Sequence, residues 1–118
     1  MKYTVVTTTE LPPDARAVLA GELDVIEHPA EQRSEDDLVV ILGDADAAIV
    51  LASDPVTRAV LEANPNLHML AVLGDAGNID LDAARGLGVV IANTPDARLA
   101  ALDVRLFLRG QEPLHRLV

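Results

Sequence analysis

Five short apolar runs, each set apart from the next by residues at helical spacing, constrain this chain more than any other feature. The runs are YTVVT (3–7), DVIEH (24–28), AAIVLA (47–52), LHMLAVL (67–73) and GVVIANTP (88–95). Between them lie helical patterns. In PPDARAVLAGEL, Ala15, Val18, Leu19 and Leu23 fall on one face, and Pro12 or Pro13 occupies the first turn. Ser34 with Asp37 three residues on forms a capping-box pattern that opens a helix ended by Gly43. SDPVTRAVLEAN begins a third helix that stops before Pro65, and Asp80 caps a short helix through Arg85. A last helical stretch follows over 96–110.

Strands joined by helices imply parallel pairing and right-handed crossovers. The economical arrangement is a flavodoxin-like, three-layer α/β sandwich with a five-stranded parallel sheet of order 2-1-3-4-5. The 118 residues suffice for one domain over 1–118, with 96–118 as its C-terminal helix and tail. Half the residues are hydrophobic, yet Tyr3 and Phe107 are the only aromatics. The core must therefore be built from Val, Leu, Ile and Ala, as in parallel sheets covered on both faces.

Composition excludes several functions. Without cysteine, neither disulfides, thiol catalysis nor thiolate metal sites are available. A net charge of −10 with one lysine argues against nucleic acid and anionic membranes as partners. The N-terminal apolar run is too short for a signal sequence or a membrane span, so a cytoplasmic protein is expected.

Ligands of such sheets sit beyond the carboxyl ends of the strands. Four loops meet there: Thr7–Glu10, Ala52–Val56, Gly74–Asn78 and Asn93–Asp96. Thr7, Thr8 and Thr9 offer hydroxyls, but no glycine follows them to cradle a flavin phosphate. A phosphoacceptor site would need a lysine after the fifth strand, and none is present. Gly86-Leu87-Gly88 ends a helix, the reverse of the context a dinucleotide fingerprint requires. No cofactor site and no metal site is therefore expected. His28, His68 and His115 lack partners at ligand spacing and read as surface or boundary residues. Asp54 and Asp75 could approach one another above the sheet as a carboxylate pair, suited to acid/base work or to a cation. For Asp54, capping of the next helix is the simpler reading.

The stretch DADAAIVLASDPVTRAVLEANPNLHMLAVLGDAGNIDLDAARGLGVVIANTP (44–95) resembles the substrate-binding, or catalytic, domain of the D-isomer-specific 2-hydroxyacid dehydrogenases. The resemblance implies a flavodoxin-like domain that works beside a separate NAD(P)-binding domain. That second domain carries the glycine fingerprint and the catalytic arginine, glutamate and histidine. No position here matches them, so hydride transfer by this chain alone is not expected. The family grips the substrate carboxylate with backbone amides of a G-x-G-x-D-N-I-D loop. Here the string is Gly74-Asp75-Ala76-Gly77-Asn78-Ile79-Asp80, one residue shorter and with its second glycine displaced. Gly74, Asp75, Ala76, Gly77 and Asn78, with Ser53 in the facing loop, are thus the candidate contacts for a small 2-hydroxy or 2-oxo acid. Asp75 opposes that use, because two carboxylates about 4 Å apart repel by roughly 4 kcal/mol at an effective dielectric near 20.

Leu99, Leu102, Leu106 and Phe107 form an apolar stripe on the last helix, expected either to fold back on the sheet or to join a second subunit as a homodimer. The sequence thus favours a binding, scaffolding or regulatory module. The alternatives are part of a split or longer dehydrogenase, and a cofactor-free lyase or isomerase using Asp75, Asp54 or Thr9.

Overall fold

The computed structural model describes residues 3–21, 23–28 and 34–118. Five strands alternate with five helices: β1 (Tyr3–Thr7), α1 (Pro13–Leu19), β2 (Leu23–Glu27), α2 (Glu35–Ile41), β3 (Ala47–Leu51), α3 (Arg58–Glu62), β4 (Met69–Leu73), α4 (Leu81–Leu87), β5 (Val90–Thr94) and α5 (Ala97–Leu108). All strand pairs are parallel, and the order is β2-β1-β3-β4-β5. This is the topology expected from the strand–helix alternation.

Strand alternation divides the interior into two cores. Ala48, Val50, Leu70, Val72 and Ile91 point to one face and pack with Leu38, Val60, Leu61 and Ala84 of α2, α3 and α4. Val5, Ala47, Ile49, Met69, Ala71 and Ala92 point to the other and meet Ala15 and Leu19 of α1 and Ala100, Ala101 and Val104 of α5. β3 and β4 are covered on both faces, so their sequences run apolar without alternation. β2 lies at an edge, and its residues are only half-buried or exposed.

Local signals set several boundaries. Ser34 and Asp37 make both bonds of a capping box, at 3.2 and 3.0 Å. Asp80 caps α4 by accepting from the Ala83 amide. α4 ends where Gly88 takes φ +74°, so the Gly86-Leu87-Gly88 string is a helix stop. α1 is shorter than its apolar spacing suggests: it closes at Leu19, and Gly21 at φ +89° turns the chain so that Leu23 opens β2.

Two expectations are corrected. Asp54 does not cap α3, which starts at Arg58 behind Thr57, and Thr57 itself makes no side-chain cap bond. Nor do Leu99, Leu102, Leu106 and Phe107 form a single face. Phe107 turns toward the sheet with Ala97 and Leu108, and α5 is buried mainly through Ala100, Ala101, Asp103 and Val104. Small residues on both sides of that contact let the helix lie close to the strands. Leu99, Leu102 and Leu106 are half-buried on the remaining surface of α5.

Candidate functional site at the carboxyl end of the sheet

The loops after β1, β3, β4 and β5 are tied to one another by named bonds. The Gly74 amide donates to Thr94 O at 3.0 Å, and Asn93 Nδ2 donates to Gly74 O at 3.1 Å. Asn78 Nδ2 reaches Ala52 O at 2.9 Å. Val56 pairs with Ile79 across a parallel bridge, its amide donating to Asn78 O and its carbonyl accepting from the Asp80 amide. Gly74 has φ +110°, and a β-carbon there would stand 3.3 Å from Ala52 Cβ. Only glycine suits both the backbone and the space.

The pinned loop leaves a row of donors open. Among the described residues, no protein acceptor takes the amides of Asp75, Ala76, Gly77 or Asn78. Asp75, Gly77 and Asn78 are exposed, whereas Ala76 is buried and packs with the core below α4. Asp75 Oδ1 lies 4.0 Å from the point a β-carbon on Gly77 would occupy. Its carboxylate therefore bends over the same short segment that presents the amides. Ser53, in the facing loop, is also exposed.

Asp54 belongs to a different structure. It is 3% exposed, and its Oδ2 accepts from Thr8 Oγ1 at 2.5 Å and from the Leu51 amide at 2.8 Å. The Leu51 amide also reaches Thr8 Oγ1, at 3.2 Å. Asp54 thus fastens the β3 loop to the β1 loop. Of the two carboxylates that the sequence offered as a pair, Asp54 is buried and bonded whereas Asp75 is exposed. The Thr9 carbonyl accepts from Thr7 Oγ1 at 2.7 Å, a bond separate from those of Asp54.

Sequence reasoning passed over one further pair. Asp103 is 0% exposed, and its two oxygens take the Leu114 amide and His115 Nδ1, each at 2.8 Å. His115 is half-buried, a boundary position, and its ring is committed to that carboxylate. The signal that could have found it is an aspartate in the middle of the apolar helix LAALDVRLFL, where a charge needs a partner. The described residues contain no group of three or more His, Asp or Glu side chains arranged to hold a metal ion. No described helix is long and apolar enough to cross a membrane. An open cleft of about 430 Å³ beside Tyr3, His68 and Phe107 lies at the opposite, amino end of the sheet.

Residues 5–103 match the family described as D-isomer specific 2-hydroxyacid dehydrogenase, catalytic domain. The chain belongs to this family. D-3-phosphoglycerate dehydrogenase of Methanocaldococcus jannaschii is 34% identical over 99 residues, which cover 79% of this chain and 18% of that enzyme. Hydroxypyruvate reductase of Thermotoga maritima is 30% identical over 97 residues, covering 81% of this chain and 31% of the reductase. The chain therefore spans less than a third of the length of these relatives. Among solved structures, a protein of Thermus thermophilus aligns with TM-score 0.72 at 25% identity, over 89% of this chain and 35% of that one. The NAD+-bound 3-phosphoglycerate dehydrogenase of Entamoeba histolytica aligns with TM-score 0.62 at 20% identity, over 93% of this chain and 39% of the enzyme, and shares the fold.

The described residues do not fit a dinucleotide. The one G-x-G string sits at the carboxyl end of α4, where carbonyls rather than amides face outward.

Proposed function

We propose that the chain acts as a binding module of the substrate-domain type. Its Gly74–Asn78 loop offers backbone amides to the carboxylate of a small 2-hydroxy or 2-oxo acid, and Asp75 keeps that binding weak. The observation that carries this reading is the coincidence of two features. A loop pinned from three sides leaves four consecutive amides without an acceptor among the described residues, and it does so at the position where the family recognises an anion. Unpaired backbone amides in a turn can stabilise negative charge without a cationic side chain. Hydride transfer by these residues alone is not part of the proposal, because they hold neither a dinucleotide fingerprint nor the family's downstream acid/base groups.

Thermal unfolding with glyoxylate, pyruvate or 3-phosphoglycerate tests the reading. Asp75→Asn removes the opposing charge and should enlarge the ligand-induced rise in Tm relative to the wild type. No rise in either protein rejects the binding module. Equal rises reject the part given to Asp75.

The outer surface of α5 supports a further part of the proposal, that the module is a homodimer through Leu99, Leu102 and Leu106. These follow i, i+3, i+7 spacing and are only half-buried in one copy. Sedimentation of the wild type against Leu106→Glu decides this, and a monomeric wild type removes the dimer.

A further inference from the structure

Residues 111–118 lie beyond the family-matched segment, yet they are fastened to the sheet by main-chain bonds. α5 ends at Leu108, and Gly110 at φ +80° turns the chain back. Pro113 is buried, and the next residues run antiparallel along the outer edge of β5. The Ile91 amide donates to Val118 O at 3.1 Å, and Ile91 O accepts from the Leu117 amide at 2.6 Å. The Asn93 amide donates to His115 O at 3.1 Å. Val118 packs against the sheet's first core, while Leu114 and Leu117 are 63% and 45% exposed. Apolar burial therefore explains little of the attachment. The attachment rests on backbone pairing and on the buried Asp103 carboxylate, which takes the Leu114 amide and the His115 ring.

These bonds converge on the candidate site. Asn93 receives the strap through its amide and holds Gly74 O through its side chain. One residue thus joins the strap to the first glycine of the amide-bearing loop.

We infer that the outer edge of β5, together with Asp103, is a docking groove for one extended segment, that residues 114–118 fill it in cis, and that its occupancy positions Asn93 and through it the Gly74 loop. Edge pairing supplies the affinity, and Asp103 supplies the selectivity by requiring a backbone amide and a side-chain N–H from successive residues. His115 and Asn93 are positioning residues. The inference deepens the reading of the loop as a carboxylate grip, but its readouts are protein amides, so it stands or falls apart from ligand binding.

Amide hydrogen exchange of the full chain tests it. His115→Ala and Leu117→Pro each loosen the strap and leave the groove intact. In both, the Asn93 and Gly74 amides should exchange about tenfold faster, while the Leu42 amide behind α2 keeps its wild-type rate. His115→Asn places an N–H where Nδ1 stood and should restore slow exchange. A synthetic peptide of sequence QEPLHRLV, added in excess to Leu117→Pro, should protect Asn93 again. The inference is overturned if Gly74 keeps its wild-type rate while Asn93 speeds up, if Leu42 accelerates equally, if the Asn variant behaves as the Ala variant, or if the peptide gives no protection.

Discussion

Asp54 and Asp103 are both buried carboxylates that join segments distant in sequence, the first at the middle of the sheet and the second beside its β5 edge. Asp54 sits at the switch between β1 and β3, where one oxygen takes the Thr8 hydroxyl and the Leu51 amide. Asp103 sits on α5 beside the β5 edge, where two oxygens take the Leu114 amide and the His115 ring. The first is enclosed by loops that belong to the family-matched segment, and the second is closed by a strap outside it. The same chemistry therefore serves two ends: at β1/β3 it fixes the scaffold, and at β5 it fastens a segment that main-chain pairing alone would hold weakly. A buried charge costs several kcal/mol unless it is bonded, so each site commits its surroundings to one arrangement.

The largest effect should come from Asp54→Ala, which removes the buried acceptor shared by the Thr8 hydroxyl and the Leu51 amide and leaves that amide its longer, 3.2 Å bond to Thr8 Oγ1. A loss of about 3 kcal/mol in urea unfolding is expected. A loss below about 1 kcal/mol would show that the two loops are held by something else. Gly74→Ala comes next, because the backbone at φ +110° and the Ala52 contact both resist a β-carbon. About 2 kcal/mol is expected in the same measurement. His115→Ala should cost about 1 kcal/mol, since Asp103 keeps the Leu114 amide. If His115→Ala proves as costly as Asp54→Ala, the contrast between scaffold and strap fails.

The smallest effect lies on the exposed side of α1 and is a matter of pH. Arg16 donates to Glu27 through Nε at 2.8 Å and Nη2 at 2.9 Å. That hydrogen-bonded guanidinium, helped by the Leu11 amide and opposed by desolvation, holds the Glu27 carboxyl below the ordinary carboxylate range. A carboxyl with a depressed folded-state pKa adds stability above its unfolded value and loses it as pH falls through the folded one. Arg16→Gln should therefore lower Tm slightly at neutral pH and flatten its decline in acid. Solvent screening keeps the effect small. Identical acid profiles for the two proteins would remove this ion pair from the account.

Much of the fold is legible in the sequence because its determinants are local. The AAIVL and MLAVL runs of β3 and β4 need no partner to be recognised as doubly covered strands. Ser34 with Asp37, and Asp80 with Ala83, complete their caps within three residues. The carboxylate loop is legible as a place, from its position after β4 and its likeness to the family. Its geometry is not. Whether Asp75 bends over Gly77 or away depends on how Asn78 and Asn93 pin the loop to Ala52 and Gly74 O, at sequence separations of 26 and 19. The role of Asp54 is hidden for the same reason. A short-range cap and a bond to Thr8, 46 residues away, look alike in one dimension.

The sequence by itself determined which segments become strands and helices, their parallel order, an aliphatic core and the family to which the chain belongs. Periodicity, caps and characteristic strings are all encoded within a few residues of one another. Tertiary structure alone decided which carboxylates are buried, which amides stay open, how the face of α5 is divided and where the strap docks. Each of those depends on the closure of long loops, where a hydrogen bond is worth most between groups that folding has already withdrawn from water.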